Sequence, residues 1–215
     1  MGIKKRVMAA IMVGVLTLSS AFTVSAASSP TEAPAEQSED PNTVDHLEGK
    51  KVTSDVNTKT NTATVKSVKS SEDAEVKNAV VINNARDSVG NKVPITSVGT
   101  GKKGVFDKII TRVTVKSQAS NVTFKAKAFK GSKVKTLKLN NKKTTIKKNA
   151  FNGTKAKNVK IYVNNGKLVA KKGAFKGLSS KAKIIVSKKA YSKKAFKKLK
   201  KALKKAGFKG KIVRK

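Results

Sequence analysis

The sequence predicts a short repeat solenoid, mainly β, of about four coils, with a small β cap at its N-terminal end and an amphipathic helix capping its C-terminal end. Three observations carry this. Phe106, Phe129, Phe151 and Phe175 recur at intervals of 23, 22 and 24 residues. Three of them stand in one frame, Ala-Phe-x-Gly: Ala128-Phe129-Lys130-Gly131, Ala150-Phe151-Asn152-Gly153 and Ala174-Phe175-Lys176-Gly177. Seven to nine residues after each Phe comes an apolar-x-apolar triplet: Val113-x-Val115, Leu137-x-Leu139, Val159-x-Ile161 and Ile184-x-Val186. Two features held in register through four copies mark an array whose units are too small to bury their own apolar faces, so that stacking buries them instead.

Residues 1–26 read as a signal peptide. Lys4, Lys5 and Arg6 precede the apolar run Val7 to Val24, and Val24-Ser25-Ala26 suits cleavage after Ala26. Residues 27–45 are rich in Ala, Ser, Pro and Glu. Such a segment buries too little apolar surface to offset chain entropy, so a disordered acidic spacer is expected. Residues 46–94 hold short β-prone runs, Thr62 to Val68 and Ala79 to Ile82, with turns expected at Asn83-Asn84 and Gly90-Asn91. They predict the β-rich N-terminal cap.

The solenoid is expected over 95–187, each coil giving one strand and one tight turn. Its first copy, Val105-Phe106-Asp107-Lys108, is degenerate, as terminal repeats tend to be. Phe106, Phe129, Phe151 and Phe175 are expected to form a continuous core column, and the Gly two residues after Phe to serve a positive φ or a close backbone approach. Residues 188–215 predict a Lys-rich helical cap. Ser187 is the expected N-cap and Gly207 the left-handed stop. Tyr191, Ala195, Phe196, Leu199, Ala202, Leu203 and Ala206 recur at helical steps. A short closing strand is expected within 208–213.

Charge divides the chain. The net charge is +37, yet the last acidic residue is Asp107, and 36 Lys or Arg follow from Lys108 onward. Such a field attracts polyanions by steering and counterion release. The expected partners are anionic cell-wall polymers, acidic glycans, or host or bacterial surface proteins, with an anionic membrane surface as a further possibility; a solubilising surface is the plainer reading. Nearly all the cations are Lys, and the four Arg are Arg6, Arg86, Arg112 and Arg214. Bidentate base readout favours Arg, and stacking of single strands needs aromatics, whereas the chain has no Trp and two Tyr. Sequence-specific nucleic-acid binding is not expected, and the chain is read as a monomer.

Chemistry is scarce. With no Cys, disulfides, thiolate catalysis and a lipoprotein anchor are excluded. His46 is the single His, and no nucleophile motif accompanies it. Glu72, Asp73 and Glu75 cluster, but without the spacing of a calcium loop. No catalytic, cofactor or metal site is expected, and the chain is read as non-enzymatic. No Leu-Pro-x-Thr-Gly pattern is present, so retention at a surface would be electrostatic.

The frame Ile146-Lys147-Lys148-Asn149-Ala150-Phe151-Asn152-Gly153, followed by a Leu-x-Leu-like strand, resembles the BspA-like, or treponemal-type, leucine-rich repeats of bacterial surface proteins. The lead-in Val93-Pro94-Ile95-Thr96-Ser97-Val98-Gly99 adds to the resemblance, which covers roughly residues 50–213. It implies an exported or surface-displayed binding protein, with adhesion the usual role and no catalytic motif. Two departures stand out. The Cys frequent after Ala-Phe-x-Gly is replaced by Ser132, Thr154 and Leu178, and Lys saturates the outward positions.

Two surfaces are candidate sites. On the strand face the expected outward rows are Arg112-Thr114-Lys116, Thr136-Lys138-Asn140, Asn158-Lys160-Tyr162 and Lys183-Ile185-Ser187. Arg112, Lys138, Lys160 and Tyr162 are the expected ligand-binding set. On the helix, Lys193, Lys194, Lys197, Lys198, Lys200, Lys201, Lys204 and Lys205 would face a polyanion or a membrane surface. Taken alone, that segment looks like a cationic amphipathic membrane peptide, which gives the alternative function: a membrane-active or wall-binding protein acting through 188–206.

Overall fold

Alternating apolar residues, read twice per repeat, build two parallel sheets rather than one. The structure is a computed structural model that describes residues 43–44, 50–70 and 78–215, with residues 43, 44, 50 and 51 described by backbone alone. All belong to one unit, Ser38–Lys215. The signal peptide and its cleavage point, nearly all of the spacer, His46 and the Glu72, Asp73, Glu75 cluster lie outside the described residues.

In chain order the elements are β1 (Thr43–Val44), β2 (Lys50–Asn57), β3 (Thr62–Ser70), β4 (Ala79–Ile82), β5 (Asn84–Arg86), β6 (Lys92–Val98), β7 (Arg112–Val115), β8 (Val122–Phe124), β9 (Thr136–Leu139), β10 (Lys143–Ile146), β11 (Lys160–Val163), β12 (Lys167–Ala170), β13 (Lys183–Val186), α1 (Lys193–Lys205) and β14 (Lys211–Arg214). One sheet runs β1-β2-β3-β6-β8-β10-β12, with β5 also on β6. Along that order it is antiparallel from β1 to β3 and parallel from β3 to β12, while β5 joins β6 antiparallel. The other sheet, β14-β13-β11-β9-β7-β4, is parallel throughout.

The solenoid is therefore as expected in class, but each coil holds two strands where one was expected. The missed strands have a sequence mark of their own. Val122-x-Phe124, Thr144-x-Ile146 and Leu168-x-Ala170 stand seven and five residues before Phe, and all but half-buried Ala170 face the core. The four Phe-centred coils also lie within a longer stack. The second sheet has six strands, and its parallel ladder passes through β4 and β14, on either side of 95–187. Asn84, expected in a turn, instead opens β5 and is buried.

The Phe column is continuous and gains a fifth member. Ring centroids are 5.2 Å apart for Phe106–Phe129, 4.3 Å for Phe129–Phe151 and 6.2 Å for Phe151–Phe175, and Phe208 meets Phe175 edge-on at 5.0 Å. Phe124 stacks on Phe129 from the first sheet. Phe208 sits in the same turn frame, Lys204-Lys205-Ala206-Gly207-Phe208-Lys209-Gly210. Beside the column, Ser132 and Thr154 fill the Cys position as buried hydroxyls, donating to the carbonyls of Phe129 at 2.9 Å and Ser132 at 3.3 Å. A hydroxyl there must find such a partner, since an unpaired buried donor costs about 1–3 kcal/mol.

Two of the turn glycines separate strain from space. Gly131 has φ 75° with no atom within 4 Å of an added Cβ, whereas at Gly177, φ 106°, that Cβ would lie 2.4 Å from the Phe151 carbonyl oxygen. Gly131→Ala is expected to lose about 1 kcal/mol to left-handed strain alone, and Gly177→Ala about 3 kcal/mol or more, because backbone in the coil beneath must also move. Urea melts of the two variants check this, and equal losses would refute the close approach.

The C-terminal helix starts later than expected. Ser187 instead closes a separate turn, accepting from the Lys189 N–H at 3.1 Å. The N-cap is Ser192, with extended backbone and a side chain that accepts from the Ala195 N–H at 3.2 Å. Gly207, at φ 90°, stops the helix as expected. Leu199, Leu203 and Ala206 are buried, but Ala202 is exposed and drops out of the stripe. The helix packs on β12, the last strand of the first sheet, while β14 extends the second. Tyr191 ties the two ends together. Its hydroxyl accepts from the Leu168 N–H at 2.7 Å on the open edge of β12, and its carbonyl accepts from Arg214 Nε at 2.6 Å. Burial pushes the phenol up from its ordinary range, against the smaller pull of the Leu168 N–H.

Candidate strand-face and lysine sites

The outer face of the second sheet is built by alternation: β7, β9, β11 and β13 each bury their second and fourth residues and turn the first and third outward. In-register parallel pairing then lines the outward residues in rows across strands about 4.8 Å apart. The first row is Ala79, Arg112, Thr136, Lys160, Lys183 and Lys211. The second is Val81, Thr114, Lys138, Tyr162, Ile185 and Val213.

This corrects one expected row. Asn158-Lys160-Tyr162 was aligned two residues out of register, since Lys160 lies opposite Thr136 and Lys183, and Tyr162 lies opposite Lys138 and Ile185. The four expected ligand-binding residues do share one face on three adjacent strands. Lys138 and Tyr162 are direct neighbours. Lys160 stands on the Tyr162 strand one outward position away, and Arg112 stands in the Lys160 row with Thr136 between them. Arg112 is partly engaged, donating from Nη2 to Asn78 Oδ1 at 3.0 Å. The Tyr162-Ile185-Val213 run makes a half-buried apolar strip beside the cationic row. Asn164 donates to Asn140 at 2.7 Å and edges the face on its other side.

The eight helix lysines are all exposed. Lys204 and Lys205 occupy the last turn, where cations suit the helix dipole, but Lys193 and Lys194 occupy the first, where they do not. Like charges four residues apart, such as Lys197 and Lys201, repel along the same face. Burial of Leu199 and Leu203 against β12 therefore holds the helix. That burial takes up most of the stripe a membrane peptide would insert, and the exposed residues of α1 are lysines and Ala202. No helix among the described residues is long and apolar enough to cross a membrane. Among the described residues no three His, Asp or Glu side chains gather as metal ligands.

A family model described as the BspA type leucine-rich repeat region matches residues 102–213, in six copies. No curated protein and no solved structure matches the chain.

Proposed function

Because this chain belongs to the BspA-type leucine-rich repeat family, a family of surface and protein-interaction repeats, we propose that it is an exported, non-enzymatic interaction protein held to anionic surfaces by its polycationic C-terminal half. The observation that carries the reading is the outer face of the second sheet. An apolar strip around Tyr162 runs beside a row of cations, and no side-chain carboxylate follows Asp107 to neutralise them. An aromatic flanked by long cationic side chains suits an acidic partner surface: Tyr162 gives rigid contact area, while Arg112, Lys138 and Lys160 give charge complementarity and a fast approach.

Retention by charge is the second half of the proposal, with anionic wall polymers or acidic glycans as the surface. The seating of Leu199 and Leu203 favours a structural role for α1 over membrane insertion. The protein should bind isolated anionic wall material at low ionic strength and elute by roughly 300 mM salt, as expected when many phosphate contacts each release counterions. Full retention in about 1 M salt, or no binding at all at low salt, would remove the charge-based reading.

A further inference from the structure

The turns that carry the Phe column share a feature that overlaps the candidate surfaces only at Lys204 and Lys205 of the helix. Four residues before Phe129, Phe151, Phe175 and Phe208 stand Lys125, Lys147, Lys171 and Lys204. Three residues before the last three of these Phe stand Lys148, Lys172 and Lys205. All seven are exposed except half-buried Lys125. The turns are stacked in register, because the N–H of Lys127 donates to the Asn149 carbonyl at 2.9 Å, that of Asn149 to Gly173 at 3.0 Å and that of Gly173 to Ala206 at 3.0 Å.

Lys125 and the three lysine pairs thus form a stripe along one edge of the stack, four coils deep and about 14 Å long at the inter-strand spacing. Between two turns the stripe dips into an open cleft lined by Lys148, Asn149, Lys172, Gly173 and Lys176. Stacked like charges oppose stacking, and no side-chain carboxylate follows Asp107 to interleave with them.

We propose that this edge seats a flexible, single-chain polyanion with a phosphodiester backbone and no bases, of the polyol-phosphate kind, lying along the stacking axis across successive lysine pairs. The proposal rests on the polyanion reading above and assigns it a place and a ligand chemistry. Lysine ammonium groups meet phosphates as point charges, without the fork that favours planar groups. The turn aromatics are buried in the column, so nothing on the edge can stack a base. The stripe is two or three lysines wide, a shape that suits one strand better than a flat lipid surface.

The test titrates end-labelled poly(glycerol phosphate) with the full chain and with two variants that each remove five positive charges. The edge variant carries Gln at Lys147, Lys148, Lys171, Lys172 and Lys176. The control carries Gln at Lys142, Lys143, Lys167, Lys188 and Lys189, which belong to neither candidate surface nor to the edge. All ten side chains are exposed, and thermal melts verify that both variants fold. The edge variant is expected to bind at least about tenfold more weakly, with a log K against log salt slope shallower by roughly 3, about 0.7 for each phosphate contact given up. The control should stay within about threefold of the parent. Equal weakening of both variants would overturn the edge assignment and leave the polyanion reading standing. The same holds if the parent binds wall material but not this polymer. Stronger dependence on the edge for vesicles of phosphatidylglycerol and phosphatidylcholine than for the polymer would overturn it in favour of a lipid surface.

Discussion

A chain ended at Ser187 is expected to lose its cooperative melting transition. Truncation removes α1, β14 and the whole frame around Phe208, and with them the buried side chains Tyr191, Leu199, Leu203, Phe208 and Ile212. Each such side chain is worth roughly 1.5–3 kcal/mol when fully buried. The sum rivals the 5–15 kcal/mol by which a domain is stable at all. The cut also bares Phe175 and Leu168 and strips the Leu168 N–H of its Tyr191 acceptor. Repeat arrays depend on their caps in this way, because an uncovered end coil has apolar surface on one side only. Circular dichroism melts of the two chains decide the matter. An unchanged transition in the shortened protein would make the helix an appendage and return it to the list of binding elements.

Phe151→Ala is expected to lose about 3–5 kcal/mol. Phe151 is fully buried and touches the array on both sides, with the Phe129 ring stacked nearly parallel at 4.3 Å and Phe175 at 6.2 Å. Its removal leaves a void that two neighbouring coils line and neither can fill, and it ends both ring contacts, each worth roughly 0.5–1.5 kcal/mol beyond area. Phe106→Ala should cost clearly less, since Phe106 meets the column through Phe129 alone and lies nearer the surface. Urea denaturation of both variants gives the comparison. Equal losses would mean that the column is not the coupling between coils.

Much of this fold was legible because a repeat writes its packing several times. The four Phe, their Ala-Phe-x-Gly frame and the triplets behind them located the column and the second sheet, and all four rings are buried. Phe208 lies 33 residues past Phe175, off the period of the other four, and its Lys-Lys-Ala-Gly-Phe-Lys-Gly frame falls at the end of a helix, where helical periodicity masks it. The repeat strands of the first sheet, β8, β10 and β12, were missed because their apolar alternation is broken: Thr144 takes a core position and Ala170 is only half-buried. Thr144 can sit there only because Asn141 Oδ1, itself buried, accepts its hydroxyl at 2.9 Å. Lys127, at φ 57°, likewise hides a left-handed position that Asn149 and Gly173 fill in the next two coils.

The candidate sites divide in the same way. That Arg112, Lys138, Lys160 and Tyr162 face outward follows from alternation within each strand, which local sequence records. That Tyr162 stands beside Lys138 does not follow, because a slip of two residues keeps every side chain on its own face and leaves the pattern unchanged. The backbone pairing of β9 with β11 fixes it.

By itself the sequence determined that the chain stacks, that each coil buries its Phe and the apolar triplet behind it, and that no acidic side chain follows Asp107. These are local or compositional facts, repeated until they cannot be mistaken. Only the tertiary structure decided which outward residues are neighbours, that the lysine pairs align along one edge, and that the apolar stripe of α1 is occupied by β12. An amphipathic pattern states that a face will be buried; what buries it depends on contacts between residues far apart in the chain, which no local pattern contains.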